Sequence, residues 1–237
     1  MARGEGARRG DGGRGFSDYP DNPLLDDFLL ELTGAARPKV CFIGTASGDA
    51  DSCALKFFEA FATRGCIASR LILFRRPKRP AEELLAEQDL IYVGGGSTAN
   101  MLAVWRLHGI DLLLREAWKR GAVLGGLSAG AICWFEGGVT DSFGGDQLVP
   151  LDGCLALVPG SLCPHYDTEP HRAPTFRSFV GARRLPAGYG VDDGVALHFA
   201  GAERVEVVSA RPSAGAYWVE ASAGSWHEEP LETRLLA

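Results

Sequence analysis

The sequence predicts an α/β fold: a mostly parallel sheet sandwiched by helices, with antiparallel strands toward the C-terminus. Three observations predict it. From about Pro38, short apolar runs alternate with stretches of helical length and period, as in βαβ units. The run Ala122-Val123-Leu124 is apolar throughout, as a buried-type strand is. Near the C-terminus the helical stretches stop while strand-like runs continue.

In chain order, Lys39 to Gly44 reads as a central strand. Ser52 to Arg64 reads as a helix with Leu55, Phe58 and Phe61 on one face. Ala68 to Phe74 is the next strand, and Pro80 to Glu87 is a short helix opened by proline. Leu90 to Val93 forms a third strand running into Gly94-Gly95-Gly96, after which Ser97 caps a helix to about Leu107. Leu112 to Lys119 is a further helix, and Ala122 to Leu124 a further strand. From Gly137 to Pro164 the chain is rich in Gly, Asp and Pro and reads as active-site loops with a short excursion. Gly194–Phe199, Arg204–Ser209 and Ala216–Glu220 read as antiparallel strands.

The 237 residues fit one domain with a tail. Residues 1–16 are a Gly/Arg-rich segment with too few apolar groups to order itself, and 17–237 form a single domain. A formal net charge of −6 gives no support to binding nucleic acid or an anionic membrane. No secretion signal follows the basic start, and no run is long enough to span a bilayer. The six cysteines are scattered, with no C-x-x-C pair, and mostly lie in apolar surroundings, as reduced thiols of a cytoplasmic protein do. No structural zinc site is expected.

The sharpest signal is Gly125-Gly126-Leu127-Ser128-Ala129-Gly130, between an apolar strand and a helix-compatible stretch. A Gly-x-Ser-x-Gly turn in that setting is what a nucleophile elbow requires. It lifts the Ser128 hydroxyl above the sheet edge and puts the Ala129 N–H where an oxyanion would form. The plainer reading is a glycine-rich turn with a serine capping the helix.

A serine nucleophile needs a base and an orienting acid. Of the five histidines, His108 sits at a helix end, His227 in a polar tail and His198 in a late strand. His165 closes the apolar approach Leu162-Cys163-Pro164 and is the candidate base, 37 residues beyond the serine. Asp141, Asp146, Glu136 and Asp167 are all candidate acids, and chain order does not choose among them.

Val93-Gly-Gly-Gly-Ser-Thr98, Gly126-Leu-Ser-Ala-Gly-Ala131 and Cys163-Pro-His-Tyr166 together resemble peptidase E, the S51 family of α-aspartyl dipeptidases, which is similar to cyanophycinase. The three motifs run in that family's order, and the resemblance covers roughly Pro38 to Glu220. It implies a fold like the class I glutamine amidotransferases, with serine at the elbow in place of cysteine. It implies Ser128 as nucleophile and His165 as base. The family's carboxylate best matches Asp141, with Asp146 as alternative because the intervening stretch is shorter here. Gly95 would then pair with Ala129 in an oxyanion hole. The resemblance further implies hydrolysis of dipeptides or short peptides with N-terminal aspartate, by acyl transfer, with neither metal nor organic cofactor. Arg172 is the candidate to meet the substrate's β-carboxylate. The expected partner is a small peptide, and a homo-oligomer is left open.

Other readings follow from the same residues. Cyanophycinase-like cleavage of β-aspartyl-arginine is one. A non-catalytic amidotransferase-like binding domain is another. An α/β-hydrolase esterase shares the pentapeptide, but its histidine usually stands much farther along the chain. Nucleotide binding at Gly94-Gly95-Gly96 lacks the spacing of either phosphate-binding glycine motif. An extended segment would put His165, Asp167, Glu169 and His171 on one face as metal ligands.

Overall fold

A computed structural model describes the backbone of residues 2–4 and residues 22–144 and 147–237. Within the Gly/Arg-rich start, Ala2–Gly4 (β1) runs as a short strand; the rest of the stretch 1–16 lies outside the described residues, as does Asp146.

The first half alternates helix and strand: α1 (Leu24–Glu31), β2 (Lys39–Ile43), α2 (Asp51–Phe61), β3 (Ile67–Leu71), α3 (Ala81–Ala86), β4 (Leu90–Val93), α4 (Thr98–His108), α5 (Ile110–Lys119) and β5 (Val123–Gly126). The strands pair in parallel in the order β3-β2-β4-β5. Successive side chains of a strand point to opposite faces, and both faces are apolar here. Val40, Phe42, Leu90 and Tyr92 pack with Phe57 and Phe61 of α2 and Leu29 of α1. Cys41, Ile43, Ile91 and Val93 pack with Met101, Trp105 and Leu114 of α4 and α5. That double covering is why Val40 to Ile43 and Leu90 to Val93 are unbroken apolar runs, while the edge strand β3 carries Ser69 and Arg70.

Helix α2 buries a different stripe from the expected one. Ala54, Phe57 and Phe61 face inward, while Leu55 is 58% exposed. The spacing 54, 57, 61 is a helical stripe in its own right. Phe57 holds it to the sheet by stacking on Phe42 at 5.1 Å, and stacks on Phe61 one turn along the helix at 4.6 Å.

After β5 come α6 (Ala129–Ile132), β6 (Gly137–Thr140), β7 (Val149–Leu151), β8 (Ser161–Cys163), α7 (Arg172–Gly181), β9 (Gly188–Val191), β10 (Val195–Ala200), β11 (Glu203–Ser209), β12 (Ala216–Ser222), β13 (Ser225–Pro230) and β14 (Arg234–Leu235). A second sheet has the order β13-β12-β9-β8-β6-β7. Its centre, β6-β8-β9, is parallel and its flanks are antiparallel. The third has the order β1-β10-β11-β14, with β10 and β11 antiparallel. The fold class is therefore as the sequence predicts, with its hydrogen bonding divided among three sheets.

The stretch 137–164, expected as loops, contains three of these strands. Its glycines hide them, and packing explains the glycines: a Cβ on Gly137 would stand 2.3 Å from the Leu151 carbonyl oxygen, and one on Gly138 2.3 Å from that of Leu162. Among the described residues, no helix is long and apolar enough to cross a membrane. Cys41, Cys133 and Cys163 are buried free thiols, and burial raises the pKa of each.

Candidate active site

At the carboxyl end of β5 the backbone reverses sharply. Ser128 takes φ 49° and ψ −117°, a conformation that L-residues rarely adopt. The flanking glycines are required by contact: a Cβ on Gly126 would lie 2.1 Å from the Gly130 carbonyl oxygen, and one on Gly130 2.2 Å from that of Val93. The turn is fixed by the Gly130 N–H donating to Leu127 and the Ala131 and Ile132 N–H groups donating to Ser128. Ser128 is left 9% exposed at the head of α6.

His165 follows β8, also at positive φ (59°), and is fully buried. Its Nε2 lies 3.0 Å from Ser128 Oγ, and its Nδ1 lies 2.9 Å from Oδ1 of the fully buried Asp193. An ionised carboxylate can only accept, so Nδ1 carries the proton and Nε2 offers its lone pair to the serine hydroxyl. The structure thus brings Ser128 and His165 together, with Asp193 behind the imidazole.

Asp141 is not placed to orient His165, which corrects the sequence expectation. It leaves the end of β6, half-exposed, and its carboxylate faces Arg172 Nη2 at 3.4 Å. The reason is strand order. Strand β8, which delivers the histidine, lies between β6 and β9; Asp141 stands beyond one neighbour and Asp193 beyond the other, and the ring turns toward the second. Residue 193 escaped sequence reasoning because the acid was sought near the serine and the histidine. The available signal was Val191-Asp192-Asp193-Gly194: paired carboxylates in a turn at the carboxyl end of a parallel strand.

Arg172 is also placed differently from expectation. It opens α7 and is 2% exposed. Nε donates to Glu169 Oε2 at 2.8 Å and Nη1 to the Val139 carbonyl at 3.0 Å, while Nη2 faces Asp141. Its fork is engaged with the protein. The metal arrangement does not form either. Residues 165–171 turn instead of extending: Asp167 accepts from the Asp193 N–H and from Arg211, and Glu169 accepts from Arg172.

Gly95, after β4, lies directly beside the serine: a Cβ there would be 3.3 Å from Ser128 Cβ. Nearby N–H groups are committed, Gly94 to Ile43 and Ser97 to Ala46. For the Gly95 and Ala129 N–H groups, no acceptor is found among the described residues. Next to Asp193, burial pushes the Asp192 carboxyl up to about 6, although it accepts from the Gly215 N–H.

Similarity to known proteins extends over most of the chain. The model of peptidase family S51 matches residues 12–207. The chain belongs to peptidase family S51. Among relatives, the uncharacterized peptidase YgaJ of Bacillus subtilis (strain 168) is 45% identical over 225 residues, covering 95% of this chain and 96% of its own. Peptidase E of Pasteurella multocida (strain Pm70) is 26% identical over 186 residues, covering 76% and 77%. A crystal structure of a peptidase from an acI-B1 Actinobacterium shares the fold, with TM-score 0.68 at 20% identity over 89% of each chain. This S51 member is a peptidase by family, and its elbow, histidine and buried carboxylate all lie where parallel strands end.

Proposed function

We propose that this S51 peptidase hydrolyses short peptides by serine acyl transfer, with Ser128 as nucleophile, His165 as general base and Asp193 as the acid that orients it. One observation carries the reading: the continuous chain from Ser128 Oγ through the His165 ring to Asp193, at 3.0 and 2.9 Å, between groups that are buried or nearly so.

His165 Nε2 takes the hydroxyl proton as Oγ attacks the scissile carbonyl carbon. The oxygen gains charge beside the Gly95 and Ala129 N–H groups, which act as the oxyanion hole. Asp193 holds the imidazole in the productive tautomer and balances its cation. His165 then passes the proton to the leaving amine. Water repeats the sequence on the acyl-enzyme and frees Ser128.

The substrate class we assign is the dipeptide or short peptide with N-terminal aspartate. The motif resemblance and the peptidase E relative support it. Arg172 would serve the substrate carboxylate only through the Nη2 arm that now faces half-exposed Asp141, by displacing that contact. The test is hydrolysis of Asp-Leu, its β-linked isomer, β-Asp-Arg and Ala-Leu by wild type and Ser128→Ala, all in chelator. Cleavage of Asp-Leu that disappears in the variant is the expected result. Preference for β-Asp-Arg would overturn the substrate assignment, and an active Ser128→Ala would overturn the mechanism.

A further inference from the structure

The turn that delivers the histidine also fastens the carboxylate behind it. Within residues 165–169, closed by the Glu169 N–H donating to the His165 carbonyl, three side chains reach the 192–194 turn. His165 Nδ1 donates to Asp193 Oδ1. The Thr168 hydroxyl donates to the other carboxylate oxygen, Oδ2. Asp167 Oδ1 accepts from the Asp193 N–H at 2.9 Å.

Arg211 closes the arrangement from the far side. Its Nη1 donates to the Asp193 carbonyl at 2.8 Å and to Asp167 Oδ2 at 3.2 Å. Its stem lies against Gly194, where a Cβ would stand 2.7 Å from Arg211 Cδ, so the glycine makes room for the arm. Both backbone groups and both carboxylate oxygens of Asp193 are therefore held.

We propose that Thr168, Asp167 and Arg211 are positioning residues for the Asp193–His165 pair. Thr168 sets the rotation of the carboxylate plane, and the Asp167–Arg211 pair sets its height behind the imidazole. The inference rests on the triad reading above and goes beyond it, because none of the three reaches the serine. A carboxylate bonded only to the imidazole can swing about its side-chain torsions. A second donor on the opposite oxygen and bonds on both flanking peptide groups remove that swing before substrate arrives. Asp167 and Arg211 are each about a third exposed. Water would compete for a lone contact there, and the pair resists it by bonding both to each other and to the Asp193 backbone.

The experiment compares Thr168→Val, Thr168→Ser, Asp167→Ala and Arg211→Met with wild type, using the dipeptide cleaved best in the panel. Asp193→Asn and Ser128→Ala serve as controls. The expected result is a fall in kcat of about ten- to a hundredfold for Thr168→Val and Asp167→Ala, with KM within about twofold. Thr168→Ser, which keeps the hydroxyl, should recover most of the rate. A second readout does not depend on turnover: the low-field NMR resonance of the His165 Nδ1 proton. It should be sharp in wild type and Thr168→Ser, and shifted or broadened in Thr168→Val, Asp167→Ala and Arg211→Met. If the variants leave both kcat and this resonance unchanged, the positioning role is wrong. Absence of the resonance from wild type also overturns it. Retained activity in Ser128→Ala and Asp193→Asn would instead refute the triad, while the resonance would still decide whether Asp193 is held as described.

Discussion

The most discriminating perturbation is the pair Asp193→Asn and Asp141→Asn. Asp193 is fully buried and accepts from His165 and Thr168. An asparagine has two orientations there. With its NH₂ toward Nδ1, it forces the imidazole proton to Nε2, which can then no longer accept from Ser128. With its carbonyl toward Nδ1 and its NH₂ toward Thr168, it keeps the tautomer but leaves the imidazolium without a counter-charge. The first matches the kind of change that costs a serine protease about 10⁴ in kcat, which corresponds to about 5.5 kcal/mol of transition-state stabilisation.

Asp141 is half-exposed and meets Arg172 at 3.4 Å, a contact that remains partly solvated. Such a pair is worth at most about 1 kcal/mol, so Asp141→Asn should change kcat by less than about fivefold. The two variants are thus predicted to differ by roughly three orders of magnitude. Initial rates on the preferred dipeptide, normalised to folded protein by circular dichroism, measure both. A collapse in Asp141→Asn beside near-normal turnover in Asp193→Asn would refute the assignment and return the acid's role to residue 141.

Gly130→Ala would push a methyl group against the Val93 carbonyl oxygen, and overpacking against backbone should destabilise the fold by about 3 kcal/mol or more; urea unfolding at an unshifted midpoint would contradict the reading of the elbow. Burial raises Asp192 from 3.8 to about 6, so between those values the folded protein holds a proton that the unfolded chain has released. The associated stability is full below the unfolded value and is lost as pH rises through about 6. The full shift corresponds to about 3 kcal/mol, which solvent screening of this partly accessible group reduces, so Asp192→Asn should raise urea stability at neutral pH by about 2 kcal/mol and add nothing in acid, and an equal gain at both would sink the argument. Burial pushes the Cys41 and Cys163 thiols up to about 12, so native protein should leave both unalkylated at neutral pH while the partly exposed Cys53 reacts. Peptide mass mapping after brief iodoacetamide treatment reads this out, and early labelling of Cys163 would show that β8 opens in the native state.

What could be read from the sequence was what local chemistry dictates. Ser128 announced itself because the elbow needs glycines two residues to either side, and because an apolar strand must precede it. His165 was legible as the residue that closes a short apolar approach. Asp193 was not, because it is brought to the histidine only by the pairing of β8 with β9, a contact between chain segments 28 residues apart. Helix α7 was missed because Pro174 stands in its first turn and its apolar residues do not form a strong stripe. Arg172 was expected to face a substrate carboxylate, because its polar sequence neighbours gave no sign that it would be buried. Its burial follows from α7 packing over β6, where the Val139 carbonyl and two carboxylates take up its fork. In α2 the helix was legible and Phe61 faces inward as expected, but Leu55 and Phe58 give way to Ala54 and Phe57, because Phe57 packs on Phe42 and Tyr92 of the sheet.

The division of the site between two sheets has a mechanistic consequence. Ser128 is carried by the four-stranded sheet, whereas His165 and Asp193 belong to the six-stranded one. The chain between them, residues 133–136, is stitched to residues 154–160. Leu155 donates to Cys133, Ala156 to Phe135, Leu157 to Trp134, and Glu136 to Gly160. Ile132, Trp134 and Phe135 fill the space beneath, each nearly or fully buried. The Ser128–His165 distance is therefore set by a seam of packed side chains that never meet substrate, while the His165–Asp193 distance is set inside one sheet by neighbouring turns. Loosening the seam should lower stability and turnover together, because the same packing supports both. Loosening the Thr168–Asp167–Arg211 contacts should lower turnover with little loss of stability, because all three residues remain in partial contact with water. A site built this way separates the alignment of nucleophile with base, which depends on global folding, from the alignment of base with acid, which depends on two short turns.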